Sequence, residues 1–293
     1  MALHHKILAQ ACCPLRFLKS IGERVGRHPS DCLRVLLYHD IAPWELDQFR
    51  DQLSKLSKSW RFVTPKEFEN MMEGREAICG RTILITFDDG FASNRIAAEE
   101  VLNPMGIKAI FFVVTEFIAL KNYQESRNFL IEHIQPGVDM NKLANHFFNM
   151  TWSDLDSLLS QGHYIGAHTS NHARLSQVSS PEDLLVEIVN CGNKLSKKLG
   201  VPIEHFAYTF GDIASFSEDA LRVAAKRFKY IYSGLRGNNA LNVSSNALRR
   251  DAIQPTDPDN LVLAFLEGNA DFYYKRPLKK LDEWACKISM DNE

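Results

Sequence analysis

Two short stretches of this chain concentrate the residue types that hold a divalent cation and move protons. The first, Thr82-Ile83-Leu84-Ile85-Thr86-Phe87-Asp88-Asp89-Gly90, is an apolar run that ends in two adjacent carboxylates. Side by side, such groups repel each other unless a cation lies close by. The plainer reading is an Asp-Gly turn with Asp89 capping the next helix. The second stretch, Gly162 to His172, again runs apolar and then polar, and it closes on His168-Thr169-Ser170-Asn171-His172. Histidines four apart let two imidazoles converge on one ion if the residues between them turn helically. Two imidazoles and one carboxylate leave coordination positions open for water and substrate, as in a catalytic rather than a structural metal site. Hydrolysis is the chemistry that follows. His163 enters the same stretch from its other end, so alternation and distance give it a structural role.

These groups can meet only if the elements carrying them end on one face. From Cys32 onward, short β-branched runs alternate with longer amphipathic segments, the pattern of β-α-β units around a parallel sheet. Strands are expected at Val35–His39, Thr82–Phe87, Ala109–Val114, Tyr164–Ala167, His205–Tyr208, Tyr230–Gly234 and Ala247–Ile253. Helices are expected at Trp44–Leu56, Pro65–Glu73, Ala92–Asn103, Ser153–Gln161, Pro181–Leu199, Ser217–Phe228 and Asp259–Leu266. Start signals are Thr64-Pro65 with Glu67, Ser153 with Asp156, and Ser180-Pro181 with Asp183. The expected fold is α/β, and seven strands suit a barrel, whole or incomplete, whose strand C-termini gather the reacting groups. Residues 33–280 form one domain, residues 1–32 an N-terminal helical arm, and 116–150 an insertion beside the barrel mouth.

A formal net charge of -2 excludes a chain whose main partner is a phosphate backbone. The six cysteines, Cys12, Cys13, Cys32, Cys79, Cys191 and Cys286, show no CxxC spacing, which argues against a zinc ribbon and for a reducing compartment. No apolar run is long enough to span a bilayer. The short apolar run after Lys6 is broken by Cys12-Cys13-Pro14 and Arg16, so no signal peptide is expected. A cytoplasmic protein is expected, with residues 3–25 a helix packed on the barrel or, alternatively, one lying on the inner-membrane surface.

The two stretches together resemble a known family. Thr86-Phe87-Asp88-Asp89-Gly90 and His168-Thr169-Ser170-Asn171-His172 are similar in order, spacing and strand context to the first two motifs of the polysaccharide deacetylases with the NodB homology domain, carbohydrate esterase family 4. The resemblance runs from about Leu33 to Ile253. It implies a distorted barrel, one divalent metal ion, usually Zn2+, and N-deacetylation of an N-acetylated glycan or sugar precursor. Carried over, Asp89, His168 and His172 hold the metal, and Asp88 is the general base for the metal-activated water. Phe206-Ala207-Tyr208-Thr209-Phe210-Gly211 stands for the third motif, with the backbone N–H near Phe210, beside Tyr208, meeting the oxyanion.

The chain also departs from that pattern. Ala207 and Thr209 stand where many members carry Arg and Pro, so the arginine that tethers the base has to come from elsewhere; Arg249 and Arg250 are the candidates. A C-terminal L-x-H motif is absent. Leu36-Leu37-Tyr38-His39-Asp40 is instead similar to the N-terminal Y-H element of a branch found among exopolysaccharide deacetylases, which implies His39 as general acid, with His205 next in line. Two other readings share the sequence: an inactive deacetylase-like module that binds glycan, and a hydrolase of another amide such as an N-formyl sugar or a peptide.

Overall fold

The computed structural model of the protein describes residues 31–240 and 242–291. The helix and membrane-surface readings of residues 3–25 therefore lie outside the described residues, as do Cys12 and Cys13. The described residues contain eight strands: β1 Cys32–Tyr38, β2 Arg61–Phe62, β3 Arg81–Phe87, β4 Ala109–Val113, β5 Tyr164–Ala167, β6 His205–Ala207, β7 Tyr230–Tyr232 and β8 Asp251–Ala252. Seven follow the order β7-β6-β5-β4-β3-β1-β8, every pair parallel. The two-residue β2 was not expected; it pairs with Thr82 and Ile83, the part of β3 that precedes its pairing with β4.

The ring is laced shut by the segment before β8. Leu248 bridges to Tyr232 of β7, while Asp251 and Ala252 pair with Leu36 and Leu37 of β1. This is the distorted barrel that the resemblance implies, built from the β-α-β units that the alternating runs signal, and its strands read as continuous apolar runs because both faces are covered. Along β1, β3 and β4, Leu33, Val35, Leu84, Ile110 and Phe112 belong to a cluster inside the ring, with Tyr230, Tyr232 and Leu248. Their alternates Leu36, Tyr38, Ile83, Ile85, Phe87, Phe111 and Val113 join a larger cluster under the helices. Tyr38, Phe87 and Phe111 stack in sequence at 5.6 and 4.9 Å.

The expected helices are all present, with changes that have local causes. Thr64 caps Pro65–Met72 in a box with Glu67, and Ser180 accepts from the Asp183 N–H. Before the next expected helix, however, Thr151 rather than Ser153 is the cap, its box closed by Asp154, and the helix is Trp152–Ser160. The segment 116–150 contains helices of its own, within Thr115–Ala119, Tyr123–Phe129 and Leu130–Ile134. They build a separate apolar cluster of Phe91, Val114, Phe117, Leu130, Ile134 and Leu143. Lys275–Met290 is a helix that the sequence reading did not anticipate. It runs through residue 280, where the domain was expected to end, and its buried Leu281, Ala285 and Ile288 attach it to the main core.

Candidate active site

Because every ring strand runs the same way, the residues that follow β1, β3, β5 and β6 share one mouth. There, Asp89, His168 and His172 each offer a ligand atom within 4.8 Å of the others, and all three are buried. Nε2 of His172 lies 3.3 Å and Nε2 of His168 3.5 Å from Oδ1 of Asp89. That oxygen has no hydrogen-bond partner among the described residues, so the contacts are electrostatic rather than well-formed hydrogen bonds. Both Nδ1 atoms are committed elsewhere: His168 donates to the Ala207 carbonyl at 2.8 Å and His172 to the His133 carbonyl at 2.8 Å. These bonds fix the tautomer and aim both Nε2 lone pairs at an orphaned carboxylate oxygen, an arrangement that only a cation satisfies well. The donor set, two imidazoles and a carboxylate, suits Zn2+.

The electrostatics agree. Burial alone would push the Asp89 carboxyl up, but His168 and His172, with His39 nearby, hold it well below the usual carboxylate range. Burial likewise disfavours a charged His172, yet Asp89 lifts it above the ordinary imidazole value.

The loops carrying these ligands are strained. Five described non-glycine residues have positive φ, and four of them, Asp89, Thr169, His172 and Phe210, stand here; such backbone persists only where surrounding contacts over-determine it. The turn from His168 to His172 is therefore not helical, contrary to what the four-residue spacing suggested. Glu187 supplies much of the constraint: one oxygen accepts from the backbone N–H of Ser170 at 3.1 Å and of Asn171 at 2.9 Å, and the other from the Asn171 side chain at 2.7 Å. Glu187 is buried and lies in a π-helical stretch, Leu185–Asn190, a helix distortion frequent at functional sites. Gly90, at φ 92°, has no room for a Cβ, which would come within 2.8 Å of Ile118.

Asp88 takes a different partner. Its two oxygens accept from Nη1 and Nη2 of Arg250 at 2.6 and 2.8 Å, a bidentate fork between two buried side chains. Arg250 also donates through Nε to the Ser233 carbonyl at 2.9 Å and lies over the Phe112 ring inside the barrel. Arg249, the other candidate, points away and pairs with Asp282 of the C-terminal helix at 2.7 Å. Alternation along the last strand gives Arg250 the inner face, while Asp251 turns outward to a buried pair with Arg34 at 2.7 Å that anchors β8.

His39 follows β1, next to Asp88 by the register Tyr38↔Phe87, and lines the same cavity as Asp88, Asp89, His168 and His172. The cavity encloses about 510 Å³, room for a sugar-sized ligand. Phe210 lines it too, 41% exposed at the tip of a tight turn closed by the Gly211 N–H on the Thr209 carbonyl at 2.7 Å. Among the described residues, no acceptor takes the Phe210 N–H. Tyr208 lines the cavity as well, but its ring stacks on Phe216 at 3.9 Å and its buried hydroxyl has no hydrogen-bond partner among the described residues. His205, the reserve acid, stands at the far end of β6, bonded to Tyr232 at 3.0 Å and Glu69 at 3.2 Å, and does not reach the cavity. His163 is likewise remote: its Nδ1 accepts the Ala109 N–H at 3.1 Å. Reading the sequence missed Glu187 and the His133 carbonyl; an acidic residue facing a helix of its own gives no local signal, and a backbone carbonyl gives none at all.

Comparison with known proteins agrees with this geometry. YxkH of Bacillus subtilis (strain 168), a polysaccharide deacetylase by name, is 25% identical over 202 residues, covering 66% of this chain and 61% of that protein; the match thus spans less than two thirds of the relative's length. Among solved structures, Streptococcus pyogenes deacetylase PplD in complex with acetate superposes with a TM-score of 0.63 at 21% identity, over 81% of this chain and 99% of that one. IcaB from Ammonifex degensii gives 0.62 at 23% identity, over 81% and 97%. These likenesses establish the fold. The sequence profile of the polysaccharide deacetylases matches residues 76–230, a stretch that holds Asp88, Asp89, His168 and His172, and on that ground the chain belongs to the polysaccharide deacetylase family.

Proposed function

We propose that this protein is a divalent-metal-dependent N-deacetylase that hydrolyses the acetamido group of an N-acetylated glycan and releases acetate. The observation that carries the reading is the juxtaposition of Asp88, forked to buried Arg250, with the Asp89, His168 and His172 cradle and with His39 on one cavity wall. A divalent cation held by Asp89, His168 and His172, zinc by their donor set, would supply Lewis acidity to water and to the amide carbonyl. Asp88 takes the proton of the attacking water as general base, held in place by the guanidinium fork. The Phe210 N–H, with no other acceptor among the described residues, donates to the developing oxyanion. His39 gives a proton to the departing nitrogen, since an amide does not expel an unprotonated amine anion at useful rates. The substituted third motif, Ala207 and Thr209, does not weaken the case, because Arg250 supplies the fork that the missing arginine would have made.

The test is metal content together with acetate release from a panel of N-acetylated sugars. Stoichiometric zinc and acetate production, both lost in Asp89→Ala, are expected. Metal binding without acetate from any sugar would favour the glycan-binding or other-amide readings instead. A cytoplasmic location is part of the same proposal and is supported by the free thiols of Cys79, Cys191 and Cys286. Among the described residues, no helix is long and apolar enough to cross a membrane.

A further inference from the structure

Of the tryptophans, Trp44 stands out for being 64% exposed. It sits on the short turn Pro43–Glu45, five residues after His39, and its neighbours Asp40 and Glu45 line the catalytic cavity. An exposed aromatic is ordinary on a protein surface; a braced one at the rim of a sugar-sized cavity is not. The brace is His146, whose ring meets the indole at 4.9 Å and 81°. Nε2 of His146 is bonded to Oδ2 of Asp40 at 2.7 Å, and Oδ1 of Asp40 accepts from Ser93 at 2.6 Å. His146 also packs on Phe147, at 4.3 Å, and Phe147 packs on Phe91 at 5.5 Å, both of which line the cavity. The inserted segment thus reaches back across the mouth to the loop that carries His39 and fixes the indole there, although the indole itself gains little burial from the arrangement.

We infer that Trp44 is a stacking platform for a sugar ring next to the one being deacetylated, so that the preferred substrate is a glycan of at least two sugars rather than a free monosaccharide. This inference rests on the deacetylase reading. A pyranose presents a patch of C–H groups on each face, and an indole offers a flat apolar counterpart of similar size. A platform already held by a hydrogen-bonded histidine costs little entropy to order on binding. Trp44 stands outside the lining of the cavity that holds the Asp89, His168 and His172 cradle, so the ring that meets the indole at the rim is a linked neighbour of the sugar being deacetylated. There, Asp40, Glu45 and Gln135 offer hydrogen-bonding groups for its hydroxyls.

The experiment compares wild type, Trp44→Ala and Trp44→Phe on N-acetylglucosamine and on its β-1,4- and β-1,6-linked oligomers up to the hexasaccharide. Acetate release gives kcat and KM, and calorimetric titration of the hexasaccharides gives affinity without turnover. Wild type should prefer oligomers to the monosaccharide. In Trp44→Ala, the ratio of oligomer to monosaccharide kcat/KM should fall about tenfold, the scale of one lost aromatic contact, through KM rather than kcat, and Trp44→Phe should recover most of it. Equal losses on monosaccharide and oligomers, or no preference for oligomers in wild type, would overturn the subsite. If no acetate is released from any of them, the deacetylase reading fails by itself. The platform then stands on the titrations, where equal hexasaccharide affinity in wild type and Trp44→Ala would overturn it too.

Discussion

Replacing Arg250 by alanine and by lysine, with Arg249→Ala as the control, separates two adjacent arginines that look alike in sequence. Arg250 is fully buried and forks onto an Asp88 that is nearly as buried. Breaking such a pair leaves an uncompensated carboxylate and typically costs about 3–5 kcal/mol. At roughly 2–4 °C per kcal/mol for a chain of this size, Arg250→Ala should melt about 6–20 °C below wild type. Arg249 pairs with an Asp282 whose side chain is 44% exposed, so its loss should cost only about 1 kcal/mol. Arg250→Lys keeps the charge without the fork. It should recover part of the stability but stay roughly 10²-fold below wild type in turnover, the scale expected when a catalytic group is misplaced. Melting is measured by calorimetry on chelator-treated protein, turnover by acetate release, and metal loading separately, since the polar partners of Arg250 are Asp88 and the Ser233 carbonyl rather than Asp89, His168 or His172. Arg249→Ala destabilising as much as Arg250→Ala, or Arg250→Lys turning over at the wild-type rate, would refute the assignment.

Glu187→Gln, which weakens the hold on the Ser170 and Asn171 amides, should lower zinc affinity about 10–100-fold in a chelator competition, as loss of groups that orient ligands does; unchanged affinity would show that the loop is held without it. His39→Ala should retain metal but lose about 10²–10⁴ in kcat, less on substrates with better leaving groups, and near-normal turnover on an N-acetyl sugar would end its role as the acid. For His163, burial and then Lys108 bring the imidazole down to about 4. A base depressed in the folded state contributes stability that is intact above its unfolded value near 6.5 and is lost as pH falls towards 4, because the unfolded chain takes up the proton first. That contribution is about 3 kcal/mol, so urea melts of His163→Gln should show a flatter decline over this window than wild type; parallel declines would count against it.

The fold was largely legible because burial on both faces makes each ring strand an uninterrupted apolar run, and such runs are visible without knowing what they pack against. Elements whose stability comes from contact rather than pattern were not. The two residues of β2 are too few to show alternation, and their pairing exists only because the first half of β3 has a free edge. In Lys275–Met290, the buried Leu281, Ala285 and Ile288 keep helical spacing, but Lys275, Arg276, Lys279 and Lys280 dilute the signal around Pro277. The cap of the helix after the insertion fell on Thr151 rather than Ser153, since either residue has an acidic partner three positions on and only the packing of Leu155 and Leu158 fixes the start.

At the site, the sequence by itself determined which residue types would meet. Motif spacing and strand ends put Asp88, Asp89, His168, His172 and His39 on one face, because parallel strands deliver their C-termini together. The tertiary structure decided what holds them. Which of two consecutive arginines reaches Asp88 depends on the inner face of a strand that exists only where the ring closes, between Leu248 at β7 and Asp251 at β1. The left-handed backbone at Asp89, Thr169, His172 and Phe210 opposes local preference and survives only because distant groups such as the Glu187 carboxylate and the Ala207 and His133 carbonyls satisfy it. Local sequence encodes what a segment favours on its own, whereas a catalytic loop is kept where it would not otherwise stay by contacts made far away along the chain.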